Sequence, residues 1–216
     1  MQSRTSTYIT NLLQGPLFMR ASYTIRMVLL LLSLSVPTVH ATTVLEVTVE
    51  EMFRQSRLVF EGEVTEVQVR ENSPGRIHTY VTFEIRDIIK GGYPGDSITL
   101  SFLGGTTDRQ SVNVPGMQLP AANERGIYFV EDPGRRQVHP FYGWSQGHLV
   151  IKWDPHGIDR VLAENGRPVQ GVERSPGRQI NALSRGVARG LVTGNPADIS
   201  RALTVREFSQ ALRALW

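Results

Sequence analysis

Residues 57–91 restrict the possible folds more than any other stretch, because apolar and polar side chains alternate there almost without interruption. In "RLVFEGEVTEVQVR", Val64, Val67 and Val69 interleave with Thr65, Glu66, Gln68 and Arg70. In "RIHTYVTFEIRDIIKG", Ile77, Thr79, Val81, Phe83, Ile85 and Asp87 share one parity, and His78, Tyr80, Thr82, Glu84 and Arg86 the other. Successive strand side chains point to opposite faces, so this period of two means strand, with one face dry and one wet. "ENSPG" between the runs supplies the turn, and the two strands pair as a long antiparallel hairpin. Gly62 breaks the parity of the first run and marks a bulge.

The remaining pattern is of the same kind. "DSITLSFLGG" and "RGIYFVED" read as further strands, and "QVHPFYGWSQGHLVIKW" as a fifth, broken at Gly143. A long glycine- and proline-rich loop, 104–124, separates the third strand from the fourth. Asn165-Gly166 marks a later hairpin. Helices are expected only at the ends. Thr48 and Glu51 have capping-box spacing ahead of a helix over 48–56, and Thr204 and Glu207 have it ahead of one over 205–215. In the second, Phe208, Leu212 and Leu215 form an apolar stripe that should dock on the chain's own β body. Residues 173–197, rich in Ser-Pro-Gly, Arg-Gly and Gly-Asn-Pro, read as a flexible linker, and 198–216 as a C-terminal helical segment. The fold class is mainly β: a small closed OB-like barrel over 42–172 including the following hairpin, with a short helix before it and an amphipathic helix after it; an open sandwich is the alternative. Closure would remove the sheet edges that invite aggregation.

That matters because the chain has no cysteine. It has neither disulfides nor thiolate chemistry, although its N-terminus reads as an export signal. "MVLLLLSLSV" follows Arg20 and Arg26, and "VPTVHA" ends with small residues at Val39 and Ala41. A positive start, an apolar run of about ten residues and a small-residue site predict a signal peptide over 1–41, cleaved after Ala41. The run is shorter than the ~20 residues of a membrane span. No membrane attachment is expected after cleavage, and the location is secreted or periplasmic. Met1, Met19 and Met27 are all possible starts. The formal charge of +3 resides in Arg4, Arg20 and Arg26 of the leader, so beyond residue 41 the remaining 20 basic residues equal the 20 acidic ones. Bulk charge therefore gives no support to nucleic-acid binding.

"GWSQG", residues 143–147, matches the G-x-S-x-G pattern of a nucleophile elbow. Such an elbow needs a helix after the serine, whereas "HLVIKW" favours strand and Pro155 and Gly157 stop any helix. Nor does the order serine, acid, histidine recur at a workable spacing. Gly143 and Gly147 are better explained as a strand bend, through positive φ or close approach. His78, His139, His148 and His156 lack the spacing of a helical metal site, and no metal or cofactor is expected. Aromatic and basic residues interleave in this region. Tyr142, Trp144, His148 and Trp153 are therefore the candidate binding residues, and no catalytic set is assigned.

The order of motifs resembles a group of exported bacterial proteins of uncharacterised function. The carrying stretches are "TTVLEVTVEEMFRQSRLVFEGEVTEVQV", "YVTFEIRDIIKGG", "DSITLSFLGG", "VPGMQLP", "RGIYFVE" and "GWSQGHLVI", over about 42–153. Their barrel is similar to the OB-like domain of tissue inhibitors of metalloproteinases and netrin-like modules. The resemblance implies an OB-like barrel and a non-catalytic, secreted or periplasmic interaction module whose partner is an exported protein such as a peptidase. The inhibitors' zinc-chelating N-terminal cysteine has no counterpart here. A serine hydrolase using "GWSQG" and a carbohydrate-binding barrel are the alternatives.

Overall fold

The long alternating hairpin is the largest feature of the computed structural model, which describes residues 44–174, 183–184 and 186–215. Strand β1 (Leu58–Ser73) pairs antiparallel with β2 (Arg76–Lys90) along nearly its whole length. Register shifts fall at Glu61/Gly62, as the parity break predicts, and also at Val59/Phe60, Val64/Glu66 and Glu71/Ser73. β3 (Ser97–Leu103) continues the sheet beyond β2. After a small hairpin of β4 (Gly105–Thr106) and β5 (Ser111–Val112), β6 (Arg125–Val130) returns to pair with the first third of β1. β7 (His148–Trp153) and β8 (Asp159–Ala163) follow, giving one antiparallel sheet of order β3-β2-β1-β6-β7-β8. The chain is mainly β. Among the described residues the two edges of this sheet, β3 and β8, do not pair with each other, so the sheet is open.

The central strands are buried on both faces. In β1, Leu58 and Phe60 enter one core and Val59 the other; in β6, Tyr128 and Val130 enter the first and Ile127 and Phe129 the second. This explains why "RGIYFV" is a continuous apolar run instead of an alternating one. The first core is enclosed by β1, β2, β3 and β6 and is rich in aromatic rings. Phe83 and Tyr128 lie 4.6 Å apart between centroids, and Tyr128 stacks on Phe141 at 5.3 Å.

The second core holds both helices. α1 (Val49–Gln55) starts at Thr48, whose hydroxyl accepts from the Glu51 N–H, and it buries Val49, Met52 and Phe53. α2 (Val205–Ala214) has the full capping box of Thr204 and Glu207 and buries Phe208 and Leu212 beside β7, β8 and β9 (Val169–Val172). The amphipathic stripe thus docks on the chain's own sheet.

The structure differs from the expected linker. Residues 191–193 form β10 (Leu191–Thr193), paired with β9, and Leu191 is part of the second core. Arg189 binds Glu46 at 2.6 Å, and its backbone carbonyl accepts from Val49 N–H. Among its described residues, Gly186 and Gly190 take positive φ, 81° and 92°, and shape turns between packed contacts. Of the expected linker, 175–182 and 185 lie outside the described residues, as does the expected signal peptide. The fifth strand also starts later than its sequence suggests. Residues 137–147 form a loop and a 3-10 turn (Trp144–Gly147) with one bridge, Val130 to Phe141, and strand pairing begins only at His148.

Candidate functional site

Past β6 the chain runs over one end of the sheet before re-entering it as β7. Backbone bonds fix this path: Glu131 N–H donates to Pro140, Tyr142 N–H to Phe129, and Leu103 N–H to Val138, at 2.8–3.0 Å. The path and the N-terminal segment Val44–Val47 enclose an open groove of about 780 Å³. That volume lies in the range of about 300–1,000 Å³ usual for ligand sites.

The turn at Gly143 shapes the groove. Gly143 has φ 71° and ψ 12°, and Trp144 follows at φ 59°. A non-glycine residue in the left-handed region is strained by about 1–3 kcal/mol, so surrounding contacts must hold it. One of them is visible: the indole of Trp144 stacks on His139, with centroids 5.2 Å apart and 17° between planes. Gly147 serves a different purpose. A Cβ there would run into the Tyr142 carbonyl oxygen, so only glycine permits the chain to pass so close.

Gln146 ties the turn to the N-terminal segment. Its Oε1 accepts from Val47 N–H at 3.0 Å, and its Nε2 donates to the Leu45 and Gly143 carbonyls at 3.0 Å. Tyr142 donates from its hydroxyl to Glu51 at 2.8 Å, joining the same wall to α1.

His139 is 4% exposed and forms part of the lining. Its Nδ1 accepts from Phe141 N–H at 3.2 Å, so the neutral ring carries its proton on Nε2, which lies toward the Gln118 backbone. Burial, with the nearby His148 adding to it, pushes its pKa down to about 3, against a weaker upward pull from backbone groups. Gln137 Nε2 is buried and has no hydrogen-bond partner among the described residues. On the rim, Arg135 and Arg136 are exposed and have no ion pair among the described residues.

Of the four residues singled out from sequence, the groove brings together Tyr142 and Trp144. It does not include His148 or Trp153. His148 is buried behind the groove, 2.6 Å from Glu124 through Nε2 and stacked on Tyr128 at 5.4 Å. Burial raises the pKa of Tyr128, and Glu124 adds to the effect. Burial also raises that of Glu164, with His148 opposing and Glu124 reinforcing. Trp153 ends β7 with 73% of its surface exposed. Ser145 lies in the 3-10 turn and is followed by strand β7, so the strand–serine–helix geometry of an elbow is not formed. His156 and Asp154 meet through the backbone: the Asp154 carboxylate accepts from His156 and Ile158 N–H and from Arg160 Nε at 2.8–3.0 Å. No group of three potential metal ligands occurs among the described residues.

Residue typing alone missed Gln146, Gln137 and the arginine pair. "RRQVHP" offered a signal, since its polar residues stand too close to proline for a regular strand. Comparison with protein-family models, with curated proteins and with solved structures gives no match for this chain.

Proposed function

We propose that this chain is an exported, non-catalytic interaction module that holds part of another exported protein in the Trp144 groove. The groove itself carries the reading. A strained tryptophan is held at its edge by a stack on His139, and exposed arginines without ion pairs among the described residues flank it. Strain retained at a concave surface is characteristic of binding sites. The leader-like N-terminus supports a secreted or periplasmic location. The resemblance to netrin-like modules suggests a peptidase as partner, and the sheet is then an OB-like barrel opened between β3 and β8. The antiparallel order β3-β2-β1-β6-β7-β8 and the aromatic core between β1, β2, β3 and β6 support this.

A photo-cross-linking amino acid at Val138, on the exposed rim, tests the reading in an exporting host. The expected result is one dominant protein adduct, identified by mass spectrometry and lost in Trp144→Ala. Absence of an adduct, together with ester or peptide turnover abolished by Ser145→Ala, would overturn it in favour of a hydrolase.

A further inference from the structure

We infer that the groove recognises carboxylates, and that its occupant is an extended acidic segment of the partner protein; this rests on the binding-module reading. The polar groups offered to an occupant are predominantly donors. Arg135 and Arg136 stand exposed on the rim without ion pairs among the described residues. Gln137 Nε2 is a buried donor in the wall without a hydrogen-bond partner among the described residues. His139 is 96% buried, since only 4% of it is exposed, and its acceptor nitrogen is already occupied by Phe141 N–H. That ring therefore presents no acceptor to an occupant.

Guanidinium groups pair with carboxylates through two parallel hydrogen bonds, which gives geometric selectivity as well as charge attraction. The lining also contains one carboxylate, Glu131, so two fixed positive charges face one negative. That balance favours singly charged carboxylates spaced along a chain over a compact phosphate dianion. Apolar side chains, among them Leu45, Leu103 and Val138, occupy the rest of the surface. They suit the alternate residues of an extended peptide, whose side chains point to opposite sides. A nucleic-acid backbone offers no such apolar partner.

The test uses the processed protein and a fluorescein-labelled, end-blocked peptide alternating glutamate and valine, with glutamine and lysine versions as controls. Fluorescence anisotropy should show the glutamate peptide binding about tenfold or more tightly than the glutamine one, with the preference shrinking as salt rises. The double variant Arg135→Gln/Arg136→Gln should abolish the preference while leaving the melting temperature unchanged. Equal affinity for the three peptides, or a preference that survives the double variant, would overturn the inference. So would displacement by millimolar phosphate, or tighter binding of a single-stranded oligonucleotide. A cross-linked partner lost in Trp144→Ala but retained in the double variant would refute carboxylate recognition and leave the module reading intact. A glutamate preference with no cross-linked partner would do the reverse.

Discussion

The side chain of Gln146 binds the backbone of Val47 as a neighbouring strand would, accepting from its N–H at 3.0 Å while donating to Leu45 two residues earlier. Gln146 is 1% exposed and stands 99 residues from Val47 in sequence, so this one carboxamide closes a long-range contact inside the fold. Removing it leaves a buried N–H and a half-buried carbonyl unpaired. Gln146→Ala is expected to cost about 2–4 kcal/mol, since each such group costs about 1–3 kcal/mol. Gln146→Glu should cost at least as much, because a carboxylate cannot donate to Leu45 or Gly143. Ser145→Ala, one residue away, should stay within about 0.5 kcal/mol. Urea denaturation followed by tryptophan fluorescence ranks the three. A serine variant costlier than the glutamine variant would refute this account.

The two glycines of the turn should differ in how they respond to substitution. At Gly143 the obstacle is conformational, with φ at 71° and Val47 Cγ2 2.8 Å from where a Cβ would stand. Gly143→Val should cost more than about 1 kcal/mol. At Gly147 the obstacle is the rigid carbonyl of Tyr142, which cannot swing aside as a methyl group can. Gly147→Ala should therefore cost more than Gly143→Ala in thermal melts. Both variants should also shift Trp144 emission if they move the turn.

Lys90 closes the C-terminal end of α1. Its ammonium donates to the carbonyls of Phe53, Arg54 and Ser56 at 2.5–2.9 Å, where the helix leaves acceptors without partners. The helix dipole favours a cation at the same place. Burial draws the Lys90 pKa below its ordinary value. Lys90→Met keeps the stem and removes the donors, and it should lower stability by about 1–3 kcal/mol. Amide exchange in 52–56 should speed up while β1 and β6 stay protected. Uniform acceleration across the sheet would mean that Lys90 supports more than the helix end.

Much of this architecture was readable where local rules govern. Alternation over Ile77–Phe83 gave the buried parity of β2, and the parity break at Gly62 gave a register shift. Threonine and glutamate three apart gave both helix starts. The return of β6 to β1 was not readable, because pairing partners are chosen by tertiary packing and leave no mark on either segment. The groove was half readable. Tyr142 and Trp144 stand in one short stretch, but their companions come from the N-terminal segment, β2, β3 and the 131–139 loop. His148 and Trp153 fell on a buried and an outer position: Trp153 shares its parity with the buried Leu149 and Ile151 but stands at the end of β7, past the core.

His139 should make the protein sensitive to mild acid. The native state holds this imidazole neutral, with a pKa near 3, because burial and the neighbouring His148 oppose a charge. In the unfolded chain the same ring titrates near 6.5. Above that value the ring is neutral in both states and contributes no slope. As pH falls below about 6.5 the unfolded state takes up a proton that the native state refuses, so stability drops and continues to drop until about pH 3. At about 1.4 kcal/mol per pH unit, the loss between pH 6.5 and 5.0 is roughly 2 kcal/mol. His139→Phe fills the space but cannot accept from Phe141 N–H, so it should be about 1–3 kcal/mol less stable at pH 7.5. Its stability should then fall less steeply with acid than that of the unmodified protein. Glu207, whose pKa is lowered by its hydrogen bonds from Thr204, adds an acid-sensitive contribution common to both proteins, and the difference between them cancels it. Urea midpoints at pH 7.5 and 5.0 for both proteins are sufficient. A gap between them that narrows on acidification supports a buried neutral imidazole beneath Trp144, and parallel profiles would refute it.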